Sequence, residues 1–318
     1  MRAGSIVVWK RGLMASTPQA VQSRRATAIG VAAILLWSGI VGLIRVTTQH
    51  FGATLGPSLI YTLAAALLWL TRRPKSLRGF SARYLLLGGG MFVIYEVALA
   101  MAVGLSDDAH QTIEVSIVNY LWPTLTVALA AVVNRRERRP GLLIIPGVLL
   151  ATVGVVGAVG GEAGLSPTRI AANVMSNPLP YLLSLMAAAV WAAYSVFSPR
   201  LAGGRDGITV FISGVAAALW IVNLVSPAPV GDITASGVAG LIGAAAVIAS
   251  GYASWNVGIL HGNITLLASA SYATPVLSTA VSSLLLGAVL PLTFWGNVLL
   301  VVAGSLAGWW ATRRTGRR

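Results

Sequence analysis

Asn119–Thr126 reads NYLWPTLT, and 152 positions later Ser271–Ser278 reads SYATPVLS, setting Tyr120 over Tyr272 and Pro123 over Pro275. At an offset of 154, LLWSGIV around Trp37 lies over AVWAAYS around Trp191. At an offset of 150, VLLATVG (Val148–Gly154) lies over VLLVVAG (Val298–Gly304). Three segments at nearly one offset make the chain a repeat of two halves. What those halves are made of follows from composition.

Of the 318 residues 56% are hydrophobic and 9% charged, with mean hydropathy +0.81. A soluble domain carries roughly 25% charged residues, so a cytosolic enzyme, a disordered chain and a secreted scaffold are all excluded. Cysteine is absent, which removes disulfides, thiol nucleophiles and thiolate metal sites. Crossing a hydrocarbon layer of about 30 Å takes about 20 apolar residues. Ten runs meet that requirement: Ala28–Thr47, Ala53–Leu70, Tyr84–Val103, Ile113–Val133 and Leu142–Gly160 in the first half, then Pro180–Pro199, Ile208–Val225, Gly237–Leu260, Ile264–Ala288 and Leu292–Ala311. Five spans per half is odd, so the halves must lie inverted in the membrane. The fold class expected is an all-α polytopic membrane protein of ten transmembrane helices in two inverted five-helix repeats. Its parts are a tail (1–26), a first repeat (27–161), a linker (162–177), a second repeat (178–312) and a basic tail (313–318). Ile6–Trp9 is too short for the apolar region of a signal peptide; Met14 is a second candidate start. In the linker, Ser166-Pro167 before TRIAANVM predicts a short interfacial helix with Ser166 as its N-cap.

Charge tests this division independently. All of the 22 basic residues except Arg45 and Arg169 fall on the amino-terminal side of the spans, while Asp107, Asp108, Glu162 and Asp232 fall on the other. The positive-inside rule then places both termini in the cytoplasm. It also accounts for the net charge of +14 without nucleic acid.

Ionisable groups inside a span cost about 2.5–3.5 kcal/mol each on insertion scales. Glu96, beside Tyr95, lies mid-span in the third helix, and Glu114 lies one turn inside the outer end of the fourth, with Arg45 closing the first on the same side. Either carboxylate could contact a substrate ammonium or take up a proton with Arg45 as counter-ion; alternatively the groups only tie helices together. Aromatic belts belong at interfaces, yet Trp37, Trp122, Trp191, Tyr252 and Trp255 lie several turns inward. Near them stand Ser38, Asn119, Tyr120, Pro123, Ser195, Asn256, Tyr272 and Pro275, with Ser184, Ser198 and Ser269 on the same helix faces. Rings mixed with hydroxyls and amides suit a ring-bearing amphipathic solute; an aromatic bundle core would present the same pattern. No phosphate-binding Gly-x-x-x-x-Gly-Lys loop, no Gly-x-Ser-x-Gly, no His-Glu-x-x-His and no acidic metal cluster occurs. These absences point away from ATP, an ATPase subunit, a catalytic nucleophile, a metal and any cofactor.

LLW in span one, Arg136–Arg138 after span four, YASWNVGIL (Tyr252–Leu260) and TPVLS (Thr274–Ser278) together resemble the drug/metabolite transporter superfamily, in particular the EamA-type permeases. EVSIVNYLWPTLTV (Glu114–Val127) and the run Ser271–Ser305 resemble its aromatic amino acid exporters of the YddG type. The resemblance implies a bacterial inner-membrane carrier for aromatic, and also other neutral, amino acids, with Glu114, Asn119, Tyr120, Trp122, Pro123, Tyr272 and Pro275 among the residues lining a central cavity. The acidic residue common after the ninth span is replaced by Ala288-Val289, and span two lacks the usual arginine. Export by alternating access, in a monomer surrounded by lipid, is the expectation. An exporter of other metabolites or cationic drugs, or a channel, are the rivals.

Overall fold

The structure is a computed structural model that describes residues 18–74, 79–133 and 144–314. The basic positions Arg2, Lys10, Arg11, Lys75, Arg78, Arg135, Arg136, Arg138, Arg139, Arg317 and Arg318 lie outside the described residues, as do Trp9 and Met14.

Among the described residues every regular element is helical. They run α1 (Pro18–Trp37), α2 (Ile40–Phe51), α3 (Leu55–Thr71), α4 (Gly89–Gly104) after a π-helical turn Tyr84–Gly88, α5 (Ala109–Asn119), α6 (Trp122–Val133) and α7 (Ile144–Val159). The second half holds α8 (Pro167–Ser176), α9 (Pro178–Ala202), α10 (Ile208–Val225), α11 (Ala235–His261), α12 (Ile264–Ser271), α13 (Thr274–Leu286) and α14 (Leu292–Arg314). Six segments are long and apolar enough to cross a membrane: 22–51, 84–104, 109–133, 178–202, 208–225 and 235–258. Four shorter apolar helices, Leu55–Thr71, Ile145–Val159, Thr274–Leu286 and Leu292–Ala307, lie among them. The chain is a multi-pass membrane protein. Its outward faces carry Leu70, Leu149, Leu224, Leu284 and Leu299, all more than half exposed, as lipid contact requires.

Local chemistry sets the helix ends. Asp108 caps α5 by accepting from Gln111 N at 2.7 Å, and Thr234 caps α11 by accepting from Gly237 N at 3.2 Å. The linker helix begins at Pro167 as the sequence predicts, but the Ser166 hydroxyl meets Thr168 Oγ1 at 3.1 Å instead of a backbone amide. Three apolar runs are interrupted: at Ser38–Gly39, at Tyr120–Leu121 and at Tyr272–Ala273. In the last two a proline follows within three residues, where a missing N–H and a ring clash end the preceding helix. Ser38 closes the first break by donating to Ile34 O at 2.8 Å.

Helices pack chiefly in the pairs α7 with α14, α1 with α11, α4 with α9 and α3 with α10. Glycine sets how closely two of these pairs approach. A Cβ built on Gly258 would stand 2.7 Å from Gly30 Cα, and one on Gly304 would stand 2.5 Å from Gly147 O. The two ends of the bundle differ in charge. At the basic end Thr209 Oγ1 donates to Arg72 O at 3.2 Å and Gly207 N to Tyr84 Oη at 3.3 Å, tying the α3–α4 and α9–α10 connections together. The opposite, acidic end is closed by hydrogen bonds. Arg45 donates to Ser106 O and Asp107 O at 2.5 and 2.9 Å. Asn177 Nδ2 bonds Leu105 O, Asp107 Oδ1 and Gln111 Oε1, and His50 Nδ1 meets Asp232 O at 2.9 Å.

Candidate functional site

A cavity of about 570 Å³ runs from the basic end to mid-bundle. Its entrance is formed by Ser198, Pro199, Ala202, Gly204, Arg205 and Asp206, and its inner end by Leu99, Asn119 and Tyr120. Between them stand rings from both halves. Trp191 of α9 lies at the centre: its ring is 4.3 Å from Tyr95, stacks on Tyr194 at 5.1 Å, and meets Trp122 edge-on at 6.3 Å and Phe92 at 6.0 Å. Across the cavity Trp37 contacts Tyr252 and Trp255, both at 5.2 Å. Trp122 opens α6 directly after the Tyr120–Leu121 break, so the interruption carries this ring to the cavity.

Glu96 lies in the wall, 4% exposed. Its carboxylate accepts a hydrogen bond from Tyr61 Oη of α3 at 2.5 Å and another from Tyr252 Oη of α11. A buried carboxylate needs such donors to offset lost hydration. One side chain thus joins three helices beside the cavity. Two buried polar atoms of cavity residues, Trp37 Nε1 and Asn119 Oδ1, have no hydrogen-bond partner among the described residues. One is a donor and the other an acceptor, and both are sealed from solvent; a Cβ on Gly251 of α11 would stand 2.6 Å from the Trp37 nitrogen.

Twelve of the residues singled out in the sequence come together here: Trp37, Tyr95, Glu96, Asn119, Tyr120, Trp122, Trp191, Ser195, Ser198, Tyr252, Trp255 and Asn256. Ser38, Glu114, Pro123, Tyr272 and Pro275 are buried and do not line the cavity. Ser271 and Thr274 contribute to the lining from that part of the chain. Glu114 accepts from Tyr181 Oη, and Arg45 is bonded to loop carbonyls, so Arg45 serves the closure of the acidic end and not a span carboxylate. Sequence reading missed Tyr84, Phe92, Tyr194, Arg205 and Asp206. Tyr194 sits one turn before Ser198 and three residues after Trp191, a signal that was present in the helical spacing. No group of three or more His, Cys, Asp or Glu that could hold a metal occurs among the described residues.

Comparison with known proteins follows the same direction. No family model matches the chain. A solved structure described as "Crystal structure of protein" aligns with a TM-score of 0.64 at 26% identity, over 92% of this chain and 98% of its own. The aromatic amino acid exporter YddG of Salmonella typhimurium is 44% identical over 292 residues, 92% of this chain and 99% of that protein. YddG of Escherichia coli is 44% identical over 291 residues with the same coverage, and YddG of Ancylobacter novellus is 30% identical over 275 residues, 80% of this chain and 86% of that protein. An alignment of that identity over 92% of the chain means that it belongs to the YddG family of aromatic amino acid exporters.

Proposed function

We propose that this protein exports aromatic amino acids across the bacterial inner membrane by alternating access. The observation that carries the reading is the ring-lined cavity, in a chain 44% identical to exporters of that name over 92% of its length. Trp191, Tyr95 and Tyr194 offer faces on which an aromatic side chain stacks, while Glu96, Asn119 and Ser195 put polar side chains on the wall. Substrate binds through these residues.

The architecture we infer is ten spans, each apolar run interrupted in the fold counting as one, in two inverted repeats over 27–161 and 178–312. The pattern of helix pairs supports it. Exchanging the halves turns the pairing of α1 with α11 into that of α9 with α4, and leaves α3–α10 and α7–α14 unchanged. A two-fold axis in the membrane plane produces such a pattern and puts the site where the halves meet. Both termini then lie in the cytoplasm, the cavity opens inward, and the hydrogen-bonded acidic end forms the periplasmic closure. Only a solute that binds the two states differently can shift their populations. Transport needs no ATPase subunit in this reading, and the monomer is the working unit.

Purified protein in liposomes should show saturable counterflow of labelled tryptophan, with trans-stimulation by phenylalanine; flux without trans-stimulation would instead indicate a channel. The two acids on the cavity wall, Glu96 and Asp206, favour one rival, an exporter of amphipathic cations. Cells carrying the protein should tolerate toxic aromatic amino acid analogues. Resistance to cationic dyes with no gain against those analogues would favour the rival.

A further inference from the structure

Arg205 is the sole basic side chain lining the cavity among the described residues. Gly203 and Gly204, with φ of 55° and 76°, reverse the chain between α9 and α10 and turn Arg205 and Asp206 back to the entrance. Left-handed φ at two successive positions favours glycine strongly. The guanidinium rests over Gly79, where a Cβ would stand 1.8 Å from one of its terminal nitrogens. The missing side chain at 79 is thus what seats it. No described residue accepts a hydrogen bond from that guanidinium, whereas Arg45, at the other end, is bonded to two carbonyls. Beside it Asp206 accepts from Asn256 Nδ2 at 2.5 Å and from Ile208 N at 3.0 Å, which fixes its carboxylate at the entrance.

We propose that Arg205 and Asp206 form a zwitterion-reading site at the mouth of the cavity, Arg205 taking the α-carboxylate of the incoming amino acid and Asp206 its ammonium. The inference rests on the proposed export of aromatic amino acids and says which end of the molecule recognises the head group. A neutral tunnel would admit an aromatic amine or acid as readily as an amino acid; a cation seated next to an anion prefers a solute carrying both charges. Glu96 cannot supply this reading alone. It lies twelve residues along the helix from Tyr84, about 18 Å from the mouth at 1.5 Å per residue, and presents no cation to a carboxylate. The side chain enters first toward the rings, and the head group is held at the entrance, where an arginine fork matches a carboxylate.

The test compares tryptophan, tryptamine and indole-3-propionate as competitors of labelled phenylalanine counterflow in the full chain. Arg205→Gln should weaken tryptophan and indole-3-propionate by about 3- to 10-fold, the range for a charge-assisted pair that water partly screens, and leave tryptamine unchanged. Arg205→Lys should restore part of the loss. Gly79→Ala, which keeps the charge and displaces it, should raise the KM for tryptophan with kcat unchanged. Retained tryptamine competition certifies that the variants fold. Equal loss for all three solutes, or tryptophan competition within about 2-fold of the parent in Arg205→Gln, overturns the mouth site and leaves the export reading standing. Failure of the unaltered protein to carry any aromatic amino acid overturns both.

Discussion

Glu96 ties three helices together at the cavity. Its two donors sit on α3 and α11, so the carboxylate bridges both halves of the chain. Removing one hydroxyl leaves a buried acceptor short of a donor, which costs about 1–3 kcal/mol. Tyr252→Phe and Tyr61→Phe should therefore each lower the thermal unfolding temperature in detergent, and an unchanged temperature would mean that water replaces the lost donor. Under the proposed export function Trp191 contacts the solute. Its ring faces give edge and stacking contacts of about 0.5–1.5 kcal/mol each, so Trp191→Ala should raise the KM for tryptophan counterflow about 3- to 10-fold, with a smaller effect on non-aromatic solutes. A uniform loss across solutes would assign the ring to packing alone.

At the scale of elements, close helix approach depends on particular glycines. A Cβ on Gly304 would stand 2.4 Å from Ala151 N and 2.5 Å from Gly147 O, backbone atoms that cannot rotate away. Gly304→Val should cost about 1–3 kcal/mol of stability or more. Gly296→Ala on the same helix has nothing within 4 Å of the added atom and should be neutral or stabilising by up to about 1 kcal/mol. Thermal unfolding of the two variants side by side checks the contrast. The helices themselves were legible in the sequence because the apolar runs hold only three charged residues, Arg45, Glu96 and Glu114. Two of the three interruptions carried a proline signal at Pro123 and Pro275; the break at Ser38–Gly39 carried only a glycine, which is common in membrane helices. The cavity was legible as far as one helix face at a time. Spacing placed Trp191 with Ser195, but which face meets which depends on how α4 and α9 cross, so Phe92 and Tyr61 escaped notice. Arg205 was hidden for another reason: the positive-inside pattern accounts for its charge without any second role.

At the scale of the whole molecule, orientation follows from the difference between its ends. Because the sequence contains no cysteine, single thiols can be introduced without background. Val230, 49% exposed at the acidic end, and Ala82, exposed at the basic end, are suitable positions. A membrane-impermeant maleimide added to intact spheroplasts should label Val230→Cys and not Ala82→Cys; the reverse pattern would invert the proposed topology. Tags at the two termini should both be inaccessible in the same cells.

Of the ten tryptophans, Trp37, Trp122, Trp191 and Trp255 form the cavity wall. Indole emission reports on polarity and nearby dipoles, so the molecule carries its own optical gauge of occupancy. Phenylalanine, nearly dark at the wavelengths that excite indole, can be titrated against that signal without any dye or radiolabel. The same four chromophores would register the passage from open to occluded in a stopped-flow cell.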